Sequence, residues 1–195
     1  MDDIEAFILA GGASSRMGTD KSQLRLDGQT FMERIASTLQ MLTDSVTVVG
    51  RTTLNFPSVA DIYPQWGALG GLHAAFAACK REWAIVVACD LPFVTAELFS
   101  HLAGLRVDHD AIVPIQADER PQPLAALYRV NSCLQHATEL IETGRRRPLD
   151  LLEAVKTHWV KFDEIRNLAQ SEMFFVNINT PEDYHEATGR GPYSH

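Results

Sequence analysis

Several familiar signatures are missing from this chain of 195 residues, and each absence removes a class of function. No apolar run approaches the roughly 20 residues that a membrane-spanning helix needs. The first residues, Met1-Asp2-Asp3-Ile4-Glu5, are acidic where a secretory signal would be cationic. Cysteine is scarce: Cys79, Cys89 and Cys133 are an odd number without a C-x-x-C pair. They predict reduced thiols in a cytoplasmic protein rather than a disulfide framework or a zinc site. The seven histidines form neither H-x-x-x-H nor H-E-x-x-H, and no G-x-S-x-G elbow occurs. Zinc hydrolysis and nucleophilic-serine chemistry are therefore disfavoured. Positive charge is short as well, with 17 Lys and Arg against 25 Asp and Glu and a net charge of −8. That balance opposes nucleic acid and acidic membrane surfaces, so a phosphorylated small molecule must be held by local cations and a metal.

Repeats, low-complexity tracts and linkers are also absent, which predicts one domain over 1–188 and a loose tail over 189–195. A chain of this length buries about 70% of its unfolded surface. Strand-like and helix-like segments alternate, the pattern of an α/β layered domain around a mostly parallel sheet. Strands are expected at 6–9, 46–49, 83–88, 111–115, 124–128 and 174–178, with an edge strand at 158–162. Helices are expected at 31–42, from Leu72 to Cys79, and at 95–102 with Thr95 as cap. Others follow at 131–143, closed by Gly144, from Pro148, and after Thr180-Pro181.

Against this background the most informative stretch is Leu9-Ala10-Gly11-Gly12-Ala13-Ser14-Ser15-Arg16-Met17-Gly18-Thr19-Asp20-Lys21. Gly11 and Gly12 carry no Cβ, so a loop leaving the first strand can turn sharply and bring its amides to an anion. Arg16 and Lys21 add cations. The P-loop spacing fails, because Gly18 is followed by Thr19 and Lys21 comes three residues after it, and no G-x-G-x-x-G triplet exists. A second feature is Cys89-Asp90-Leu91-Pro92-Phe93, directly after the most apolar strand. Ligands of open α/β sheets bind beyond the carboxyl ends of strands. An ionised Asp90 there is a hard oxygen donor suited to Mg²⁺, or it caps the following turn.

The glycine segment resembles the opening loop of nucleotidyltransferases, L-A-G-G-x-S-x-R-M-G-x-D-K, and within them most resembles the molybdenum cofactor guanylyltransferases. Other segments resemble the same family in order: Asp61 with Trp66-Gly67-Ala68-Leu69-Gly70-Gly71; Cys89 to Phe93; Arg120-Pro121-Gln122-Pro123-Leu124-Ala125-Ala126-Leu127-Tyr128; and Val176-Asn177-Ile178-Asn179-Thr180-Pro181. Two positions depart from it, Ala68 where proline is usual and Gly50 where asparagine is common.

The resemblance implies a three-layer α/β/α Rossmann-like fold with one antiparallel strand. It implies transfer of GMP from GTP to the terminal phosphate of Mo-molybdopterin, with pyrophosphate released. Leu9, Ala10, Gly11, Gly12, Lys21, Asp61 and Asp90 would bind the nucleotide. Lys21, Arg16 and Asp90 would be catalytic, with Asp90 holding Mg²⁺, for which Mn²⁺ could substitute. Arg120, Asn177 and Asn179 would meet the pterin, and the run Arg145-Arg146-Arg147 would favour its phosphate. Each has a plainer reading beside it: Asp61 facing solvent, Arg120 a surface residue, the arginine run a solvated helix end, the asparagines satisfying buried backbone groups. Expected protein contacts are transient ones with cofactor-biosynthesis proteins and molybdoenzyme chaperones. The alternatives are a cytidylyl or sugar- or isoprenoid-phosphate transferase, and a non-catalytic GTP-binding regulator.

Overall fold

A computed structural model describes residues 1–10, 25–26, 28–53, 55–178, 183 and 189. The chain starts with β1 (Ile4–Leu9) and, after a short ladder of β2 (Arg25–Leu26) and β3 (Gln29–Thr30), enters α1 (Phe31–Gln40). Thr30 and Glu33 close a capping box at that entry, and Phe31, Ile35, Ala36 and Leu39 bury one face of the helix. Next come β4 (Val46–Val49), β5 (Ser58–Val59), α2 (Gly67–Ala78), β6 (Trp83–Ala88) and α3 (Ala96–Gly104), capped by the Thr95 hydroxyl. The second half holds β7 (Ala111–Pro114), β8 (Ala125–Arg129), α4 (Val130–Glu142), α5 (Pro148–Ala154), β9 (Thr157–Val160) and the single turn α6 (Phe162–Ile165).

Seven strands form one sheet in the order β5-β4-β1-β6-β8-β7-β9. Every pairing is parallel except those of β8, which runs antiparallel to both β6 and β7. The expected α/β/α layering with one reversed strand is what the sheet has. Alternation along the central strands feeds two cores. Ala6, Ile8, Ile85 and Val87 face α1 and α3, while Phe7, Leu9, Ala84 and Val86 face α2, α4 and α5. All six residues of β6 are buried, as a central strand requires. Tyr128 is fully buried on β8 and its hydroxyl donates to the Pro123 carbonyl at 2.6 Å. Among the described residues, no helix is long and apolar enough to cross a membrane.

Three expectations need correction. Helix α2 starts at Gly67, not at Leu72, so Gly70 and Gly71 lie inside it. The edge strand stops at Val160, and Phe162 opens α6 instead. Phe174 to Ile178 is not a strand: after a 3-10 turn at Ser171–Met173 the backbone keeps folding on itself, with Phe174 N–H donating to Ser171 O and Val176 N–H to Met173 O. Phe174, Phe175 and Ile178 are buried there as core residues of an irregular segment. The helix expected after Pro181 and most of the 189–195 tail lie outside the described residues.

Candidate active site at the carboxyl edge of the sheet

Parallel register decides where the functional groups converge. Leu9 on β1 pairs with Val49 on β4 and with Ala88 on β6, so these three strands end together. The last rungs are Ala10 N–H to Val49 O at 3.0 Å, Cys89 N–H to Leu9 O at 3.1 Å and Gly50 N–H to Val59 O at 2.9 Å. The Ala10 amide, expected to meet the nucleotide, is thus spent in the sheet. Gly11, Gly12, Arg16 and Lys21 lie outside the described residues, as does Asn179. One residue past Cys89, Asp90 stands beside the point where the glycine segment leaves β1. It is half-buried, and its carbonyl accepts from Ile178 N–H at 3.1 Å. Arg34 of α1 braces the same turn by donating Nε to Pro92 O at 3.0 Å.

Asp61 follows β5 at this edge. Its Oδ1 accepts from Tyr63 N–H at 2.9 Å, which folds the loop leading into α2. The Tyr63 ring stands edge-on to buried His73, with centroids 5.0 Å apart. Thr138 donates its hydroxyl to Leu134 O, so its oxygen accepts the His73 Nε2–H at 3.2 Å, leaving Nδ1 as an unpaired buried acceptor. Burial lowers the pKa of His73, partly offset by the charge of Asp61. The Arg146 guanidinium lies 4.7 Å over the Trp66 ring and Nη1 reaches Gln65 O at 3.4 Å. Arg145 pairs with buried Asp150 at 3.4 Å. Two of the three arginines expected to form a phosphate patch therefore have partners of their own.

Reversal of β8 brings a segment that precedes a strand to the edge where the other segments follow theirs. Ala88 N–H donates to Leu124 O at 2.8 Å, so Arg120 to Leu124 enters beside Asp90. Here lies a cavity of about 630 Å³ lined by Gln116, Arg120, Phe162, Glu172, Phe175 and Asn177, among others. Arg120 and Asn177, expected from sequence to form one subsite, do share this wall. Gln116 and Glu172 join them without any motif that marks them. Gln116 sits in an ordinary-looking polar turn, closed by Glu119 N–H to Gln116 O at 3.0 Å, with Glu119 at φ 65°. No sequence signal distinguishes such a turn from a surface loop.

Strand ends converging on one edge, with a carboxylate after the central strand, define a class: open α/β proteins whose site lies beyond the carboxyl ends of the sheet. Residues 6–158 match the MobA-like NTP transferase domain, and the chain belongs to that family. It is 32% identical over 181 residues to the "Probable molybdenum cofactor guanylyltransferase" of Pelotomaculum thermopropionicum, covering 90% of this chain and 87% of that one. The crystal structure of molybdopterin-guanine dinucleotide biosynthesis protein A from Archaeoglobus fulgidus superposes with a TM-score of 0.79 at 26% identity, over 94% of this chain and 96% of that one. The 4-diphosphocytidyl-2C-methyl-D-erythritol synthase of Anaerococcus prevotii shares the fold, with a TM-score of 0.68 at 14% identity over 96% and 97%.

Proposed function

We propose that the chain is a molybdenum cofactor guanylyltransferase, active in the cytoplasm, that moves GMP from GTP onto the terminal phosphate of Mo-molybdopterin. The observation that carries this reading is the shared ending of β1 and β6, which sets Asp90 against the departure of the glycine segment. An oxygen of the acceptor phosphate attacks the α-phosphorus of GTP in line. The bond from that phosphorus to the bridging oxygen breaks, and pyrophosphate leaves with its electron pair. Such a reaction asks for positioning and charge neutralisation rather than a protein nucleophile.

The glycine segment holds the phosphates, and Lys21 with Arg16 offsets charge on the departing pyrophosphate. Asp61 keeps Oδ1 on Tyr63 N–H, and its Oδ2 takes the N1 and N2 donors of guanine. A divalent metal fits the donors present. Asp90 is a hard carboxylate, and no group of three or more His, Cys, Asp or Glu gathers among the described residues. Mg²⁺ suits such a site because it takes one or two carboxylates and draws its remaining ligands from substrate phosphates and water. Bound there, it would supply Lewis-acid neutralisation of phosphate charge, with Mn²⁺ as a substitute.

The deciding measurement is pyrophosphate release with GTP, CTP, ATP or UTP, each with and without molybdopterin. Release that needs both GTP and molybdopterin is expected. Equal release with CTP, or release indifferent to molybdopterin, refutes the assignment. Asp90→Ala should abolish release while the melting temperature stays near that of the parent; near-normal turnover would sink the metal role.

A further inference from the structure

We infer that Arg146 is a positioning residue for the nucleotide: clamped over Trp66, it holds the loop that carries Asp61, and so serves base selection rather than the acceptor phosphate. The inference rests on the transferase reading above, in which Asp61 reads guanine, and adds the side chain that sets Asp61.

The arginine side of the clamp stands on fixed backbone. Helix α4 ends in a Schellman motif: Arg145 N–H donates to Leu140 O at 2.9 Å and Gly144 N–H to Ile141 O at 3.0 Å, with Gly144 at φ 84°. On the other side, Asp150 N–H donates to Arg147 O at 3.0 Å, and the buried Asp150 carboxylate pairs with Arg145 at 3.4 Å. Arg146 leaves the chain between these two anchors, and its side chain crosses to the loop entering α2.

That loop is a chain of short-range contacts. Asp61 Oδ1 accepts from Tyr63 N–H, Tyr63 O accepts from Trp66 N–H at 2.9 Å, and Trp66 is the N-cap of α2. Trp66 is half-buried and packs on the core beneath α2. The Arg146 guanidinium covers its ring at 4.7 Å, while Nη1 donates to Gln65 O at 3.4 Å. A cation over an indole face is attracted by the ring, and a planar guanidinium stacks and donates at once. One side chain therefore grips two consecutive residues at the end of the loop that Asp61 begins. Both grips belong to the nucleotide loop, so the loss of Arg146 falls on the nucleotide.

Inosine triphosphate, which lacks the 2-amino group of guanine, supplies the readout. Pyrophosphate release by the full chain is measured with GTP or inosine triphosphate at saturating molybdopterin, and with molybdopterin varied at saturating GTP. In the parent, a carboxylate set on N1 and N2 should make the KM for inosine triphosphate roughly tenfold that for GTP. Arg146→Ala should raise the GTP KM about fivefold and bring that ratio below about threefold. It should leave kcat and the molybdopterin KM within about twofold. Trp66→Leu should act alike, and the double variant should do no more than either, as expected of two residues working as a unit. Arg146 is exposed, so its variant folds even if the Trp66 variant does not. The inference is overturned if Arg146→Ala keeps the parent ratio, or raises the molybdopterin KM more than the GTP KM. Asp61→Asn, measured beside it, tests the reading underneath. A parent ratio near one, or a ratio that Asp61→Asn leaves unchanged, refutes guanine reading by Asp61, and the inference falls with it. If Asp61→Asn collapses the ratio and Arg146→Ala does not, the clamp alone is refuted.

Discussion

Replacing Gly70 and Gly71 by alanine, one at a time, asks whether the loop that carries Asp61 is held by close packing on α2. A Cβ on Gly70 would lie 2.6 Å from Tyr63 O and 3.2 Å from Asp61 Oδ1, whereas one on Gly71 would meet Leu9 Cδ1 at 3.2 Å. Inside a helix, alanine is favoured over glycine by roughly 1 kcal/mol. At Gly71 the neighbour is a terminal methyl that yields by a few tenths of an ångström, so propensity wins. At Gly70 the neighbour is backbone, and Tyr63 O already accepts the Trp66 N–H at 2.9 Å. It cannot retreat without opening the turn into α2. Overpacking of that kind costs about 1–3 kcal/mol, and the turn hydrogen bond about 1 more. Set against the helix gain, Gly70→Ala destabilises by about 1–3 kcal/mol. At roughly 2–4 °C per kcal/mol for a domain of this size, its Tm falls by several degrees, while Gly71→Ala melts level with the parent or slightly above it. Thermal melts followed by circular dichroism read this directly. Displacement of Asp61 should also raise the KM for GTP in the Gly70 variant alone. If Gly70→Ala melts at or above Gly71→Ala, the packing argument is wrong.

Three other outcomes are expected. Burial depresses the folded-state pKa of His73 below its ordinary 6.5, so the unfolded chain binds that proton first. Stability from this residue is complete above about pH 6.5 and is lost as the pH falls below it; the Tm of the parent should drop more steeply there than that of His73→Phe, and equal slopes would refute the burial effect. Burial pushes the Cys79 thiol up to about 12 and Cys133 higher still. Iodoacetamide at about pH 8, below either thiol's range, should label both only after unfolding, and rapid labelling of the native protein would contradict their placement. Tyr128→Phe leaves Pro123 O without its donor and should cost about 1–2 kcal/mol in urea unfolding, with no change in m.

The strands at Val46–Val49 and Trp83–Ala88 are legible because the first is wholly β-branched and the second an unbroken apolar run, each too short for a helix and set between turn residues. Phe174 to Ile178 has the same look and fails, because its amides are taken by successive local turns and by Asp90 O rather than by a neighbouring strand. Gly70 and Gly71 lower helix propensity, which hides the first turn of α2 from the sequence; their small size is what lets α2 sit against Tyr63 O and Leu9. Periodicity carries no sign of the reversal of β8, which only the family resemblance implies. In the site, Leu9, Ala10 and Asp90 fall at strand ends marked by hydrophobic runs, whereas Asp61 is marked by its likeness to the family segment. Gln116 reaches the cavity wall through the contact its amide makes with Phe175, 59 positions away, and no local pattern encodes that.

The reversed strand also has a consequence for how the chain assembles. β8 lies between β6 and β7, both of which precede it in sequence. On a ribosome, one edge of β6 has no partner until residues 125–129 have emerged, and during that interval Trp-Ala-Ile-Val-Val-Ala is an apolar, uncharged ladder open to any passing strand. Fragments that end before Ala125 should therefore aggregate, and insertion of β8 should be a late, slow folding step that closes the sheet. The same strand that carries Arg120 to Leu124 to the working edge is the one whose arrival makes the nascent chain safe.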